Sequence, residues 1–120
     1  MFQISPQVRI LIACQPIDFR KGIDALVGYC RNELAKNPFS GTVFVFRNKA
    51  RTSLRMLAYD GQGFWLATKR LSQGRLKWWP ASSAQQLNEL AARELNVLLW
   101  NGDPQAASFH EDWKPLPKGE

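Results

Sequence analysis

Three carboxylates in the first half of the chain, Asp18, Asp24 and Asp60, are the side chains best suited to bond-breaking chemistry. Metal-assisted phosphoryl transfer needs several such groups converging on ions about 4 Å apart. Each also has a simpler local role. Asp18 can cap a helix, Asp24 can pair with Arg20 across one helical turn, and Asp60 opens an Asp-Gly turn. The single histidine, His110, stands in the C-terminal tail with no orienting group near it in sequence, whereas a catalytic histidine needs one. Cys14 and Cys30 form no C-x-x-C pair and sit in apolar settings, so they read as buried thiols rather than zinc ligands. There is no phosphate loop of the G-x-x-x-x-G-K type and no nucleophile elbow. The expectation is a protein that is not an enzyme and takes no cofactor or metal.

Binding chemistry is better represented. The chain carries a net charge of +6, and its distribution is uneven. Arg47, Lys49, Arg51, Arg55, Lys69, Arg70, Arg75 and Lys77 fall within one stretch whose only acid is Asp60, so that stretch is +7 and the remainder −1. Charge gathered on one structural unit makes a local field that uniform basicity does not, and it suits a polyanion such as nucleic acid. A solvated, solubilising face is the plainer alternative. Arg20 and Lys21 precede Gly22 at the start of a helix, where free N–H groups and the dipole favour phosphate, which makes them auxiliary contacts. Aromatic residues interleave with the cations: Tyr59 alternates with Arg55 and Leu57, Trp65 with Ala67 and Lys69, and Trp79 with Arg75 and Lys77. Rings beside cations suit unstacked bases and phosphates, though the same rings can simply fill a core.

The elements that must carry these residues follow from periodicity. Val8 to Ala13 is a short apolar run that predicts a buried strand. Ile23, Leu26, Val27, Cys30 and Leu34 recur at helical spacing, predicting a helix over Gly22 to Ala35 that Asn37-Pro38 stops. Strands are expected over Thr42–Arg47, Ser53–Tyr59, Phe64–Leu71 and Arg75–Trp79, with a hairpin at Asp60-Gly61-Gln62-Gly63. Ser82 and Ser83 with Gln85 and Gln86 have capping-box spacing and predict a helix to about Trp100, striped by Leu87, Ala91, Leu95 and Leu98 and closed by Asn101-Gly102. The fold class is therefore α+β: an antiparallel meander of four to five strands with two main helices against one side. Residues 1–102 form one domain, and 103–120 form a polar, proline-containing tail.

At 120 residues and 45% hydrophobic content the chain can build a core without staples. The longest apolar run, Ile10 to Cys14, falls far short of a membrane span. With no basic-then-apolar leader pattern and two unpaired cysteines, the expected setting is the reducing cytoplasm, with no membrane partner.

The motifs in order resemble a known family. They are Asp18-Phe19-Arg20-Lys21-Gly22-Ile23-Asp24-Ala25-Leu26, Pro38-Phe39-Ser40-Gly41, Phe44-Val45-Phe46-Arg47-Asn48, Leu54-Arg55-Met56-Leu57 and Tyr59-Asp60-Gly61-Gln62-Gly63-Phe64-Trp65-Leu66. Lys69-Arg70-Leu71, Gly74-Arg75-Leu76, Trp79-Pro80 and Leu98-Leu99-Trp100-Asn101-Gly102 continue the series. Over roughly residues 8 to 102 the chain resembles the TnpB-like accessory proteins, encoded by the second reading frame, of insertion sequences of the IS-sixty-six type. It departs from that pattern at Thr52-Ser53 and Ser72, where acidic residues are usual. The resemblance implies an accessory role in transposition, with a larger transposase and the element's DNA ends as partners, and it brings no catalytic residue. Three functions compete: a DNA-binding factor, an adaptor docking on the transposase without touching DNA, and, least supported, a nuclease.

Overall fold

In the computed structural model the described residues are 7–81 and 85–106. Strand β1 (Ile10–Ala13) is apolar at every position and buried at every position. A run of that kind, without alternation, belongs in the middle of a sheet covered on both faces. β2 (Val43–Arg47) has the same character in its first four residues, VFVF. The two strands lie side by side and parallel, pairing Ile10 with Val43 and Ile12 with Val45. Parallel neighbours need a crossover, and α1 (Ile23–Asn32) supplies it.

From β2 the chain meanders through β3 (Ser53–Tyr59) and β4 (Phe64–Arg70), each antiparallel to its predecessor. The hairpin is built on Asp60, whose Oδ1 accepts from the amides of Gln62 and Gly63 at 2.9 and 3.0 Å. Its Oδ2 accepts from the Trp65 indole at 2.8 Å. β5 (Leu87–Leu90) returns to the far side of β1, antiparallel, and the sheet order is β4-β3-β2-β1-β5. The sheet is thus mixed, not the purely antiparallel meander expected, because β1 pairs with β2 rather than standing at the end of a meander.

The two helices also lie on opposite faces rather than on one side. Leu26, Cys30 and Leu34 of and beyond α1 pack with Leu11, Phe44, Phe46 and Leu57. On the other face Leu95 and Leu98 of α2 (Ala92–Leu99) join Ile10, Ile12, Val45 and Leu54. Alternation along β1 and β2 sends successive side chains to the two cores, so each face needs its own cover.

The expected fifth meander strand at Arg75–Trp79 is not a strand. This segment crosses the α2 face as irregular chain, with Leu76 and Trp79 buried three residues apart. It is held by the Leu76 amide donating to the Arg51 carbonyl at 2.7 Å and the Trp79 indole donating to the Ala13 carbonyl at 2.7 Å. The helix expected from Ser83 begins only at Ala92. Leu87 and Leu90 have helical spacing, but in a strand that spacing places one leucine on each face, which a sheet covered twice requires. The proposed cap at Ser82 and Ser83 lies outside the described residues. Glu94 takes the capping part instead, its carboxylate accepting from the Ala91 amide at 2.8 Å.

α2 ends in a Schellman motif: the Gly102 amide donates to the Val97 carbonyl and the Asn101 amide to that of Leu98, both at 2.8 Å. Asn101 is in the left-handed region at φ 60°. Glycine is the usual residue there, and the asparagine has a second task. Its Oδ1 accepts from the Lys77 amide at 2.9 Å and its Nδ2 donates to the Arg75 carbonyl at 3.2 Å. Asn101→Ala removes both bonds and strains the turn, so urea denaturation should show a loss of about 2–3 kcal/mol. Asn101→Gly relieves the strain and should lose only about 1 kcal/mol.

Candidate nucleic-acid interface

Because β1 and β2 are parallel, the loops that follow them emerge at the same end of the sheet. β3 starts and β4 finishes at that end. Four segments meet there. The Ile17 amide donates to the Arg47 carbonyl, Leu71 to Thr52, and Leu76 to Arg51, while Asn101 holds residues 75 and 77. Arg20, Lys21, Arg47, Lys49, Arg51, Lys69, Arg70, Arg75 and Lys77 are thereby drawn to one end. Asp60 sits in the β3–β4 turn at the other, so it does not converge with Asp18.

The loop between β2 and β3 is cross-braced by Asn48. The Asn48 Oδ1 accepts from the amides of Thr52 and Ser53 at 2.9 and 3.1 Å, and its Nδ2 donates to the Thr52 hydroxyl at 2.9 Å. Arg51 occupies the left-handed region at φ 63°. Within this turn Arg47 is half-buried. Its Nη1 donates to the carbonyls of Asn48 at 3.1 Å and Lys49 at 3.5 Å, while its Nε is buried without any partner. Burial, and then the nearby Arg51 charge, push its pKa down. Among the described residues no carboxylate balances Arg47, Lys49, Arg51, Arg70, Arg75 or Lys77. An unbalanced, partly desolvated cation beside a second one is unfavourable in isolation and is relieved by an anion.

Arg55 has a different task. Its Nε donates to the Thr68 hydroxyl and its Nη1 to the carbonyls of Phe19 and Lys21, all at 3.0 Å. Its guanidinium lies over the Phe19 ring, 4.3 Å from the centroid. It therefore tethers the segment carrying Arg20 and Lys21 more than it offers charge to solvent. Arg20 pairs with Asp18 at 2.7 Å, not with Asp24. These hydrogen bonds from Arg20 hold the Asp18 carboxyl down at about 2. Asp18 does not cap α1 either; Gly22 stands at the N-cap with no side-chain cap. Between this segment and the Asn48 loop lies a groove of about 700 Å³ lined by Pro16, Ile17, Phe19, Arg20, Lys49 and Ala50, among others.

Lys69 donates to the Leu99 carbonyl at the end of α2, where a cation complements the helix dipole. Its ammonium also stands 5.8 Å from the centre of the Trp100 ring. Arg70, Arg75 and Lys77 are exposed. The expected interleaving of aromatics with these cations is not formed by the rings first considered. Trp79 is in the core, Trp65 is tied to Asp60, and Tyr59 clusters with Phe39 and Phe64 at 5.0 Å, away from the basic end. The rings that do stand beside cations at this end are Phe19, under Arg55, and Trp100, 87% exposed and beside Lys69. In sequence Trp100 carries no signal, because it ends the α2 stripe without belonging to it.

Among the described residues no three His, Cys, Asp or Glu side chains are placed to hold a metal ion, and His110 lies outside them. Cys14 and Cys30 are free and buried, and burial pushes the Cys30 thiol up to about 12. Among the described residues no helix is long and apolar enough to cross a membrane.

A family model described as IS66 Orf2 like protein matches residues 8–108. The chain is 34% identical to uncharacterized protein y4hO of Sinorhizobium fredii, over 99% of this chain and 100% of that one. It is 41% identical to uncharacterized protein y4jC of the same organism, over 61% of this chain, and spans 62% of that relative's length. No solved structure matches.

Arg55→Ala should lower stability by about 2–3 kcal/mol through three lost donors and, more specifically, speed tryptic cleavage after Arg20 and Lys21, which limited proteolysis reads directly. In an NMR acid titration Asp18 should remain ionised well below the usual carboxylate range of about 3.9. Its depressed folded pKa means that the ion pair's contribution is present above the unfolded value and lost as pH falls toward about 2.

Proposed function

Because the chain belongs to the IS66 Orf2-like family of insertion-sequence proteins, we propose that it is a non-catalytic accessory factor in transposition that holds the element's DNA at the basic end of its sheet and works beside the transposase. The supporting observation is the Asn48 loop, which holds Arg47 half-buried with an unpartnered Nε beside Arg51 and no balancing acid. Cations kept on a rigid turn lose little freedom on meeting phosphates, whereas surface lysines on flexible stems lose more. Phosphate contacts fix position and orientation without reading sequence, so choice of the element's ends falls to base contacts or to the transposase.

The adaptor reading has one observation of its own. Phe39 is 48% exposed and packs with Tyr59 and Phe64, with Arg31 over its ring, at the end away from the cations. Exposed aromatics beside arginine suit a protein partner. The two readings therefore use opposite ends of the molecule and are separable.

With about four to six phosphates neutralised, log affinity for duplex DNA should fall with log salt at a slope near −4 to −5. Arg47→Ala with Arg51→Ala should weaken binding to all sequences and flatten that slope by up to about two units in a fluorescence-anisotropy titration. Arg9→Ala with Lys36→Ala removes equal charge at the opposite end and should do little. Absence of any DNA affinity at low salt would leave the adaptor as the better account.

A further inference from the structure

Among the described residues Trp100 carries the widest mismatch between chemistry and surroundings. An indole gains by burial, yet this one is 87% exposed. The α2 core contacts are made by Leu95 and Leu98, which are fully buried, so packing does not ask for a large ring one position past the helix. Helix capping does not ask for one either; the motif is satisfied by Asn101 and Gly102.

The ring is nevertheless on a rigid mount. A Cβ on Gly102 would lie 2.7 Å from Val97 Cγ1, so the chain passes too close to α2 for any other residue to fit without movement. Asn101 is bonded to the backbone at Arg75 and Lys77, and the intervening Leu76 to Arg51. The backbone beneath Trp100 is thus continuous, by hydrogen bonds, with the loop carrying the unbalanced arginines. Lys69 stands beside the ring itself. The nearest acid in sequence, Asp103, accepts from the amides of Gln105 and Ala106 in its own turn.

We infer that Trp100 is a stacking platform for an unpaired nucleobase, with Arg75 and Lys77 taking the adjoining phosphates, so that this end of the molecule holds single-stranded DNA. The inference rests on the DNA-binding reading and narrows its substrate. A projecting ring needs an open base face, which a duplex keeps inside its stack and a single strand offers at every nucleotide. A protein partner would favour the three-ring cluster around Phe39, whereas the contact the Trp100 ring makes is with the Lys69 ammonium.

Three probes of one length separate the terms by anisotropy: an oligothymidylate, an abasic strand with the same phosphates, and a blunt duplex. Trp100→Ala should weaken oligothymidylate binding about ten-fold and leave the abasic strand and duplex within about two-fold. Trp100→Phe should keep most of the affinity, and circular dichroism should show both variants folded, since the ring buries little. Equal loss on all three probes, or no loss on oligothymidylate, overturns the inference while leaving DNA binding intact. If wild-type protein binds none of the three at low salt, the DNA-binding reading fails and this inference with it; loss of transposase binding in Trp100→Ala would then assign the ring to a protein contact.

Discussion

The parallel pairing of β1 with β2 is the constraint from which the remaining architecture follows. Both strands are apolar on both faces, so water must be excluded twice. The crossover between them becomes α1 and covers one face, while the Leu76–Trp79 segment and α2 cover the other. Parallel strands also end together, which sends the loops after β1 and β2 to a common end of the sheet. In an α/β arrangement that end is where ligands are ordinarily met, because several loops can converge without any of them interrupting the core.

That convergence creates an electrostatic problem that the molecule solves only in part. Some cations are turned to internal use. Arg55 holds the Phe19–Lys21 carbonyls, Lys69 serves the carboxyl end of α2, and Arg20 is matched by Asp18. The remainder, with Arg47 at their centre, have no carboxylate partner among the described residues. A sequence selected for stability alone would place a carboxylate among them. Local conflict of this kind, retained in an otherwise consistent fold, is the usual signature of a surface shaped for something outside the molecule.

Much of this could be read from the chain before folding, for identifiable reasons. The Ser53–Tyr59 strand and its Asp60 turn are governed by neighbours in sequence, and both appear as expected. The basic block is a matter of composition and survives any topology. What could not be read depends on distant partners. Leu87 and Leu90 satisfy helical and doubly buried strand spacing equally, and only the vacant edge of β1 decides between them. Leu76 and Trp79 look like a strand until the second face of the sheet needs a lid. Asp18 has a cap's place in the chain but finds Arg20 first. Trp100 gave no periodic signal at all, because its importance lies in what it fails to bury.

The edge that β5 occupies has a consequence for how the chain matures. β1 is complete once residue 13 has been made, and β2 joins it once residue 47 has, but its other neighbour lies at residues 87–90. Until then the most apolar strand of the molecule is an open edge, four residues of unpaired backbone without a charge or proline to discourage a second chain. Closing that edge pairs Ile10 with Leu90, a long-range contact of the kind that slows folding. β5 leads directly into α2, so the strand that closes this edge and the helix that covers the adjoining face arrive together.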